Sequence, residues 1–520
     1  MKKRFWERNI ISRFVFSRLL LTIILLLIQV ALLIGIFLLL ESYAKYILGG
    51  FTLLSAAVLI HIINSPINPA YKLAWILPVA LVPVMGTLLY LFVQTNIGTT
   101  APKVILEHVL AETKEFTKTK PEVTEALKEE NSIVSEVASY MENIGEYPTY
   151  QNTAIEYHPS GEAAFDSMKK ALEGAKDFIF MEYFIIAEGK MWDELLEILE
   201  RKAKEGLEIR LMYDDLGCIA LLPRTYLKTL KEKGIKAKAF AQLMPFLSTH
   251  YNNRDHRKIT VIDGQVAFNG GINLADEYIN EREVFGHWKD TSYKVLGDAV
   301  KSYTLMFLQL WNVSEKRGSE NYARYINIDA ARPSGDRGDG YVMPYGDGPH
   351  RVENTAENVY MDILNSSKKY VHIMSPYLIL DNEMLQAILH GAKRGVEVKL
   401  LLPEIPDKWF ANVIARSYYP EMIEAGVKIY QYTPGFVHAK MFVADDEVAV
   451  VGTINLDFRS LYLHYECAGF FYKNPVVHDI KKDFDETFAQ SRQMTLEDYK
   501  NISWFNRTSG RVLRIISPLL

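Results

Sequence analysis

Cysteine is scarce in this chain of 520 residues, which contains only Cys218 and Cys467. Two cysteines are too few for a disulfide framework, and their separation does not match the ligand spacing of a zinc site. The sequence also lacks an HxH pair, a CxxC pair and a dense carboxylate cluster that would hold a metal ion. We therefore expect a protein that needs no metal and no other cofactor.

Lysine and arginine are outnumbered over most of the chain, whose formal net charge is −5 at pH 7. Residues 1–100 contain eight Lys or Arg and two Asp or Glu, so they carry +6 and the remainder carries −11. Binding to a nucleic-acid backbone normally requires a basic surface. The acidic balance of the remainder therefore argues against nucleic acid as its partner.

Charged side chains are absent from three long apolar runs, Leu19–Leu40, Tyr46–Ile63 and Leu73–Val93. A helix of about 20 apolar residues can cross a bilayer. The first run is longer than the apolar core of a signal peptide, which has roughly 7 to 15 residues. The sequence therefore predicts a membrane region at 1–95, with two to three transmembrane helices, in a multi-pass membrane protein.

The basic N-terminus, MKKRFWERNIISRFVFSR, is expected to stay in the cytoplasm, where positively charged flanks are retained. Three full crossings would place everything after Val93 outside the cytoplasm. A re-entrant segment in place of one crossing would reverse this assignment. The sequence therefore leaves open the side of the membrane on which the rest of the chain lies.

Internal similarity divides the rest of the chain. AKEGLEIRLMYDD at 203–215 aligns with AKRGVEVKLLLPE at 392–404, and in each a helix end with Gly precedes an apolar strand. Strands that alternate with helices predict an α/β fold. We expect a charged helical connector, a first repeat, a linker rich in Gly, Pro and Asp, and a second repeat, at 96–150, 151–330, 331–352 and 353–520 respectively.

Each repeat contains the same sparse motif: His, any residue, Lys, four residues, then Asp. The predicted catalytic residues are its members, His256, Lys258 and Asp263 in the first repeat and His438, Lys440 and Asp445 in the second. The match extends to Gly270 with Asn273 and to Gly452 with Asn455, at the same offsets from each histidine. A lone histidine on a strand is more often structural, but a match of five positions in two places indicates function.

Strand geometry explains the spacing within each motif. HRKITVI and HAKMFVA are predicted as strands, and side chains two residues apart project from the same face of a strand. The histidine and lysine of each motif should therefore point the same way. Asp263-Gly264 is a two-residue hairpin signal, and Asp445-Asp446 is a weaker one. The two motif aspartates are thus expected to fix the hairpins rather than to touch a substrate.

The returning strand of each hairpin adds further candidates. A two-residue turn places Gly271 opposite His256 and Thr453 opposite His438, with an asparagine next along each strand. Glycine leaves space for a bulky phosphate, and carboxamides can donate hydrogen bonds to it. The predicted phosphate-binding residues are therefore Asn273, Asn455, Gly271 and Thr453.

Two such motifs suit phosphoryl transfer. Imidazole titrates near neutrality, so one ring can attack phosphorus while the other supplies a proton to the leaving alkoxide. Lysines and asparagines can stabilise the charge that develops on the phosphoryl oxygens. A covalent mechanism divides the reaction into two displacements, which explains why the motif occurs twice.

The paired motifs resemble those of the phospholipase D superfamily, and the wider pattern is similar to bacterial cardiolipin synthases. The similar stretches run from about Leu48 to the C-terminus and include MEYFI, YDDLG, RDHRKITVIDGQVAFNGGINLADEY, HWKDTSYKVLGDAV, SPYLILD and VGTINLDFRSL. The resemblance implies an α/β fold in which two phospholipase D-like repeats form one pseudo-twofold catalytic unit behind N-terminal transmembrane helices.

The resemblance also implies a reaction. One phosphatidylglycerol would transfer its phosphatidyl group to a histidine and release glycerol, and a second phosphatidylglycerol would then attack to give cardiolipin. We assign His256 as the nucleophile and His438 as the general acid and base. Asp290 and Glu466 occupy the positions of carboxylates that orient the imidazoles in related enzymes. His464 departs from the family, which usually has Asn there, and Leu310 stands where Asp is common.

Several alternatives remain open from the sequence alone. The motif does not distinguish transfer to an alcohol from hydrolysis by a phospholipase D, and a non-catalytic lipid-binding protein is a third hypothesis. The segments 240–247 and 407–413 either dip into the membrane interface or pack within the domain. The C-terminal FNRTSGRVLRIISPLL either lies on the membrane or docks as a final helix. A homo-oligomer is compatible with the sequence but not indicated by it.

Overall fold

The computed structural model describes residues 44–94, 100–242, 252–315, 318, 320–326, 338–350 and 353–519, together with the single positions 27, 31, 34 and 35. The prediction for Leu19–Leu40 lies outside these residues, apart from the four single positions. The remainder shows an N-terminal helical unit followed by two α/β halves.

Three helices form the N-terminal unit: α1 (Ala44–Asn64), α2 (Pro69–Leu81) and α3 (Pro83–Gln94). Asn68 caps α2 by accepting a hydrogen bond from the Ala70 N–H, and proline occupies the first turn, where its missing N–H does no harm. Buried side chains from all three helices form a small core of their own, namely Val58, Ile62, Trp75, Val79 and Tyr90.

The prediction of transmembrane helices is not supported by this unit. In the part of the chain that the structure describes, no helix combines the length and the apolar character required to cross a bilayer. The apolar run Leu73–Val93 is divided between α2 and α3, because the chain leaves helical geometry at Val82 and Pro83 begins a new helix.

The connector that follows is helical and packs on both halves. It contains α4 (Thr100–Thr113), a short 3₁₀ turn (Lys114–Phe116), α5 (Pro121–Glu130) and α6 (Ser132–Gly145). Val109 of α4 joins the core shared by the two halves, whereas Val134 and Met141 of α6 join the core of the second half. The connector thus forms part of the folded body.

The first half contains a seven-stranded mixed sheet in the order β1-β8-β6-β5-β2-β3-β4. All six residues of β2 are buried, as expected for a strand covered on both faces. The strands are β1 (Thr153–His158), β2 (Phe178–Tyr183), β3 (Glu208–Asp214), β4 (Lys236–Phe240), β5 (Ile259–Ile262), β6 (Val266–Gly270) and β8 (Ser292–Gly297). The helices are α7 (Gly161–Glu173), α8 (Lys190–Lys204), α9 (Asp215–Cys218), α10 (Tyr226–Glu232), α11 (Val300–Asn312) and α12 (Tyr322–Ile326).

The second half contains an eight-stranded sheet in the order β17-β12-β11-β10-β14-β15-β16-β9. Its strands are β9 (Tyr341–Asp347), β10 (Tyr370–Met374), β11 (Glu397–Pro403), β12 (Lys428–Tyr432), β14 (Met441–Ala444), β15 (Val448–Gly452), β16 (Glu466–Tyr472) and β17 (Ser491–Gln493). Its helices are α13 (Thr355–Ser366), α14 (Asn382–Lys393), α15 (Trp409–Ser417), α16 (Tyr419–Glu424), α17 (Phe458–Tyr462), α18 (Val476–Ala489), α19 (Leu496–Asn501) and α20 (Trp504–Ile516).

The two sheets repeat the same topology. Read from its other edge, the second sheet matches the first strand for strand, with β17 added at the end. A shared core contains buried residues of both sheets, such as Phe180 and Val443, together with α11 and α18. The α/β class and the pair of repeats predicted from the sequence are confirmed.

The segment 331–352, predicted to be a linker, contributes a strand. β9 (Tyr341–Asp347) pairs antiparallel with β16 along its whole length and forms an edge of the second sheet. The short apolar run YVMPY was obscured by the Gly, Pro and Asp residues around it. The second half therefore begins at or before Tyr341.

Candidate active site

The motif histidines do not lie on regular strands. We predicted strands over 256–262 and 438–444, but β5 begins at Ile259 and β14 at Met441. The three residues before each strand instead run toward the other half of the molecule. The His256 N–H donates to the Tyr465 carbonyl at 2.9 Å, and the His438 N–H donates to the Lys289 carbonyl at 2.7 Å. Backbone pairing between the halves therefore sets the position of both histidines.

At one of these two contacts between the halves, the backbone pairing continues as a short parallel ladder. β7 (His287–Lys289) of the first half pairs with β13 (Gly435–Val437) of the second. The other contact is a single bridge between Asp255 and Tyr465. Asp290 directly follows β7, and Glu466 directly follows Tyr465. The two contacts therefore place His438 beside Asp290 and His256 beside Glu466.

Each imidazole is consequently held by a carboxylate from the other half. His256 Nδ1 lies 2.8 Å from Glu466 Oε1, and His438 Nδ1 lies 2.6 Å from Asp290 Oδ2. Both carboxylates are fully buried. Because Nδ1 of each ring is engaged, Nε2 is the atom left for chemistry.

Gly271 and Thr453, predicted to bind phosphate, lie behind these pairs. The Thr453 hydroxyl donates to Glu466, and a Cβ on Gly271 would lie 2.1 Å from Asp290 Oδ1. The reason is a register shift. Each hairpin has an extra residue after its two-residue turn, so that Ile262 pairs with Val266 rather than with residue 265. Glycine and threonine therefore support the carboxylates instead of facing the histidines.

The two motif lysines are buried beneath the imidazoles. Lys258 Nζ donates to the His256 carbonyl, and Lys440 Nζ donates to the His438 carbonyl and lies 2.9 Å from His438 Nδ1. Burial lowers the pKa of Lys258 to about 8 and that of Lys440 to about 7, although nearby carboxylates act in the opposite direction. An anion in the site would favour their charged forms.

The two asparagines differ in their hydrogen bonding. Asn273 accepts a hydrogen bond from the Ile185 N–H at 3.0 Å and donates to the Tyr278 hydroxyl at 2.7 Å, so its carboxamide is held in place. Asn455 Oδ1 is buried without a hydrogen-bond partner among the described residues. Asn455 thus retains hydrogen-bonding capacity toward a ligand.

The motif aspartates lie at the far end of each hairpin from the histidines. Asp263 accepts hydrogen bonds from the N–H groups of Lys176, Asp177 and Phe178 at 2.7, 2.8 and 2.9 Å. Asp445 does the same for Lys368, Lys369 and Tyr370. Their position agrees with the interpretation that they fix the hairpins.

This position makes Asp445→Ala a test of stability rather than of chemistry. Loss of three charge-assisted hydrogen bonds should lower the free energy of unfolding by about 2 to 3 kcal/mol. Asp446→Ala is the matched control, because Asp446 shares the left-handed backbone of the turn but, among the described residues, its side chain accepts a hydrogen bond from the Tyr370 hydroxyl alone. Its expected loss is less than about 1 kcal/mol. Denaturant unfolding measures both, and equal losses would contradict the assignment.

One cavity of about 640 Å³ brings the two motifs together. Its wall includes His256 and Asn273 from the first half and His438 and Asn455 from the second. Aromatic side chains make up much of the remaining wall, namely Phe184, Tyr278, Trp288, Tyr377, Phe410, Phe436 and Phe458. The wall therefore combines imidazole, carboxamide and charged groups with aromatic side chains, which suits an amphiphilic molecule with a phosphate.

Burial controls the charge of the imidazoles in this cavity. It lowers the pKa of His256 well below its ordinary value, and Lys258 and Lys440 lower it further. It lowers the pKa of His438 to about 4, although Asp290 acts in the opposite direction. Both rings are therefore neutral near pH 7.

The carboxylates differ in their electrostatics. Burial raises the pKa of Glu466 to about 7, against the attraction of Lys258. Burial also acts to raise the pKa of Asp290, but His438 and Lys440 outweigh it and the pKa is lowered. Asp290 is thus an anion near neutrality, whereas Glu466 sits close to its own titration point. The two halves are equivalent in shape but not in charge.

Two side chains of the cavity wall, and one buried beside them, have the donor types that bind metal ions. One ligand atom each of His256, His464 and Glu466 lies within 4.8 Å of the others. Local sequence patterns did not indicate this group, because His256 lies about 200 positions before His464 and Glu466. Lys258 and Lys440 act electrostatically on His256, and their charge favours an anion over a cation here. The expectation of a metal-free site stays a prediction.

His464 and Tyr278 complete the surroundings of the imidazoles. His464 is buried, its ring centroid lies 5.7 Å from that of His256, and neither ring nitrogen has a hydrogen-bond partner among the described residues. Tyr278 packs edge-on against His438 at 5.5 Å. We noted His464 only as a departure from a family pattern and did not single out Tyr278, although both stand close to motif residues in the sequence.

Comparison with known proteins adds to this geometry. A family described as "Cardiolipin synthase, PLD-like domain" matches residues 168–311 and 360–488, more than half of the chain. The chain belongs to this family. Residues 53–94 also match a family described as "Phospholipase_D-nuclease N-terminal". The resemblance to bacterial cardiolipin synthases of the phospholipase D superfamily is confirmed, and the protein is a phosphatidyltransferase enzyme.

Relatives of this cardiolipin synthase family member align along most of its length. A cardiolipin synthase of Halalkalibacterium halodurans is 32% identical over 499 residues, which cover 94% of this chain and 97% of the relative. A cardiolipin synthase of Geobacillus kaustophilus is 35% identical over 380 residues, 72% of this chain and 74% of the relative. An uncharacterized protein of Streptococcus mutans is 46% identical over 461 residues, 89% and 99% of the two chains.

A solved structure supports the fold. The phosphatidylserine synthase of Haemophilus influenzae superposes with a TM-score of 0.57 at 14% sequence identity, covering 74% of this chain and 99% of that one. At this identity the similarity concerns the fold alone. It agrees with the arrangement of two α/β halves.

Proposed function

We propose that the protein transfers a phosphatidyl group reversibly from one phosphatidylglycerol to another and thereby makes cardiolipin and glycerol. The observation that carries this proposal is the single cavity lined by both motif imidazoles. Cardiolipin synthases among the relatives support phospholipids as the substrate class. The combination of polar and aromatic side chains in the cavity wall fits a phosphodiester with acyl chains.

The first displacement forms a bond between phosphorus and a histidine. Neutral His256, oriented by Glu466 through Nδ1, attacks with Nε2, and the bond from phosphorus to the glycerol oxygen breaks. His438, protonated once the phosphate anion is bound, gives its proton to the leaving alkoxide. Lys258, Lys440 and Asn455 stabilise the additional negative charge on the phosphoryl oxygens.

The second displacement reverses these roles. The terminal hydroxyl of a second phosphatidylglycerol gives its proton to His438 and attacks the phosphorus of the phosphatidyl-histidine. The bond from phosphorus to His256 breaks, and cardiolipin leaves. His464 offers an uncharged donor and acceptor beside the nucleophile, which suits a hydroxyl of the glycerol group.

Product analysis tests the proposal. Purified full-length protein in vesicles of phosphatidylglycerol, with EDTA present, should give cardiolipin and glycerol in equal amounts. Phosphatidic acid in place of cardiolipin would favour the alternative, a hydrolytic phospholipase D. Absence of turnover would favour a lipid-binding protein, and turnover that EDTA abolishes and a divalent cation restores would contradict the metal-free mechanism. A His256→Ala, His438→Ala double variant controls for contaminating activity.

A further inference from the structure

The C-terminal helix α20 exposes an apolar stripe. Trp504, Phe505, Val512 and Ile515 are 72%, 62%, 57% and 49% exposed. At 3.6 residues per turn these four positions fall within about 100° of the helix circumference. Large side chains of this kind are usually buried when a helix packs in a soluble protein. The stripe therefore points to a partner outside the chain.

The opposite side of α20 is docked against the second half of the protein. A Cβ on Gly510 would lie 2.1 Å from the Val413 carbonyl of α15, which shows how closely the two helices approach. Arg514 donates to Glu421 at 2.8 Å, and its guanidinium lies 3.9 Å from the Tyr418 ring centre. The fold thus fixes which face of α20 is turned outward.

The stripe continues onto α15 and reaches the cavity. Trp409 donates through its indole N–H to Asn506, and its ring stacks on Phe505 at 6.1 Å. Trp409 and its neighbour Phe410 are 49% and 37% exposed. Phe410 also lines the active-site cavity, as does Ser517 just after α20. The apolar surface therefore extends to the rim of the site.

The N-terminal unit exposes further apolar side chains on a helix next to α20. Helix α2 contacts α20, and its Leu73, Leu77 and Leu81 form a second exposed stripe at helical spacing. The unit is tied to the catalytic body through Asn68, which donates to Asp381 and Tyr462 at 2.7 and 2.8 Å. We call the exposed apolar side chains of α2, α15 and α20 the rim surface.

The charge beside the stripe identifies the partner. Helix α20 contains no acidic residue, and it carries Arg507 and Arg511 in addition to Arg514, which is paired with Glu421, in a chain whose net charge is −5. Exposed tryptophan and phenylalanine with flanking arginines are typical of helices that lie in the interface of an anionic bilayer. A protein partner of such a stripe would not require the local excess of positive charge.

We propose that the rim surface docks on the headgroup region of an anionic phospholipid bilayer, with α20 parallel to the membrane plane and the active-site cavity opening toward the lipids. Docking of this kind buries the apolar face about 5 to 10 Å into the boundary between headgroups and acyl chains. A lipid can then enter the cavity through the aromatic rim without passing through water.

A fluorescent probe on α20 tests the docking independently of turnover. Cys218 and Cys467 are buried, so an introduced cysteine can be labelled selectively with an environment-sensitive dye. Ile515→Cys places the dye on the stripe. Lys228→Cys on α10, where the native side chain is 77% exposed, is the matched control away from the rim surface. Both full-length variants are reconstituted in vesicles of phosphatidylglycerol and phosphatidylcholine.

Nitroxide groups on the upper acyl chain of the lipids should quench the dye at position 515 by about twofold or more and leave the dye at 228 nearly unchanged. Equal quenching at the two positions would overturn the proposal. Protection of position 515 that appears without lipid and grows with protein concentration would also overturn it, because the rim surface would then be a contact between copies of the chain.

A double variant tests whether docking on the membrane controls the access of lipid to the active-site cavity. Val512→Asp with Ile515→Asp should lower turnover of vesicle phosphatidylglycerol by about tenfold but leave turnover of a short-chain, monomeric phosphatidylglycerol within about twofold. Equal losses on both substrates would overturn the link. If neither the variant nor the wild type turned over phosphatidylglycerol, the proposed function would fail while the quenching result would still decide the docking.

Discussion

His438→Ala is expected to lower cardiolipin formation by about 10²- to 10⁴-fold while leaving the first displacement intact for a substrate that needs no acid. The physical reason is that the two histidines have different roles: His256 attacks phosphorus from one side of the cavity, and His438 donates the proton from the other. A phosphatidyl ester of nitrophenol supplies such a substrate, because nitrophenolate leaves without a proton. His438→Ala should therefore release one nitrophenolate per site in a burst and then stall as phosphatidyl-histidine.

His256→Ala should give neither the burst nor a trapped lipid on the protein. Exposed His478, which lies on α18, provides the matched control, and His478→Ala should behave as wild type. Denaturation in mildly alkaline detergent preserves the bond between phosphorus and nitrogen for detection of the labelled protein. A burst from His256→Ala equal to that of the wild type would show that the roles of the two histidines are assigned wrongly.

Removal of the charge from Glu466 and from Asp290, one at a time, should separate the first displacement from the second in the same way. Glu466→Gln and Asp290→Asn keep the size of each side chain but remove the anion that orients the ring and stabilises its protonated form. We expect each to lower turnover by about 10²- to 10⁴-fold. Because the pairs cross between halves, Glu466→Gln should reproduce the missing burst of His256→Ala, and Asp290→Asn should reproduce the stalled intermediate of His438→Ala.

Glu397 offers a matched control for this experiment. It lies 3.3 Å from His372 Nε2 in a pair between histidine and glutamate outside the cavity. Glu397→Gln removes the same charge from a similar pair, and turnover should stay within about twofold of the wild type. If Glu466→Gln showed the stalled intermediate instead, the crossed pairing would not govern the chemistry.

Much of the site could be predicted because the motif is local. The offsets between histidine, lysine and asparagine identify a repeated hairpin, and the structure places both hairpins at one cavity. Asp290 and Glu466 were also named, from the family resemblance, as orienting carboxylates. Neither the offsets nor the resemblance indicated which carboxylate serves which histidine. That choice depends on backbone pairing between residues about 150 to 210 positions apart, and local patterns contain no information about it.

The errors have local physical causes. The strand predicted over 256–262 included the first three residues of HRKITVI, but hydrogen bonds to the opposite half draw residues 256–258 out of the sheet. The register error at Gly271 and Thr453 came from counting a two-residue turn without its extra residue. The prediction of membrane spans treated Leu73–Val93 as one helix, although a break before Pro83 divides it.

The exchange of carboxylates between halves has a consequence for the ancestry of the protein. A shorter chain with only one motif would lack the carboxylate that orients its histidine. Two identical copies packed face to face would each provide that carboxylate to the other. Tandem fusion of such copies would make assembly independent of protein concentration. It would also free the two sides to diverge, as the unequal electrostatics of Glu466 and Asp290 illustrate.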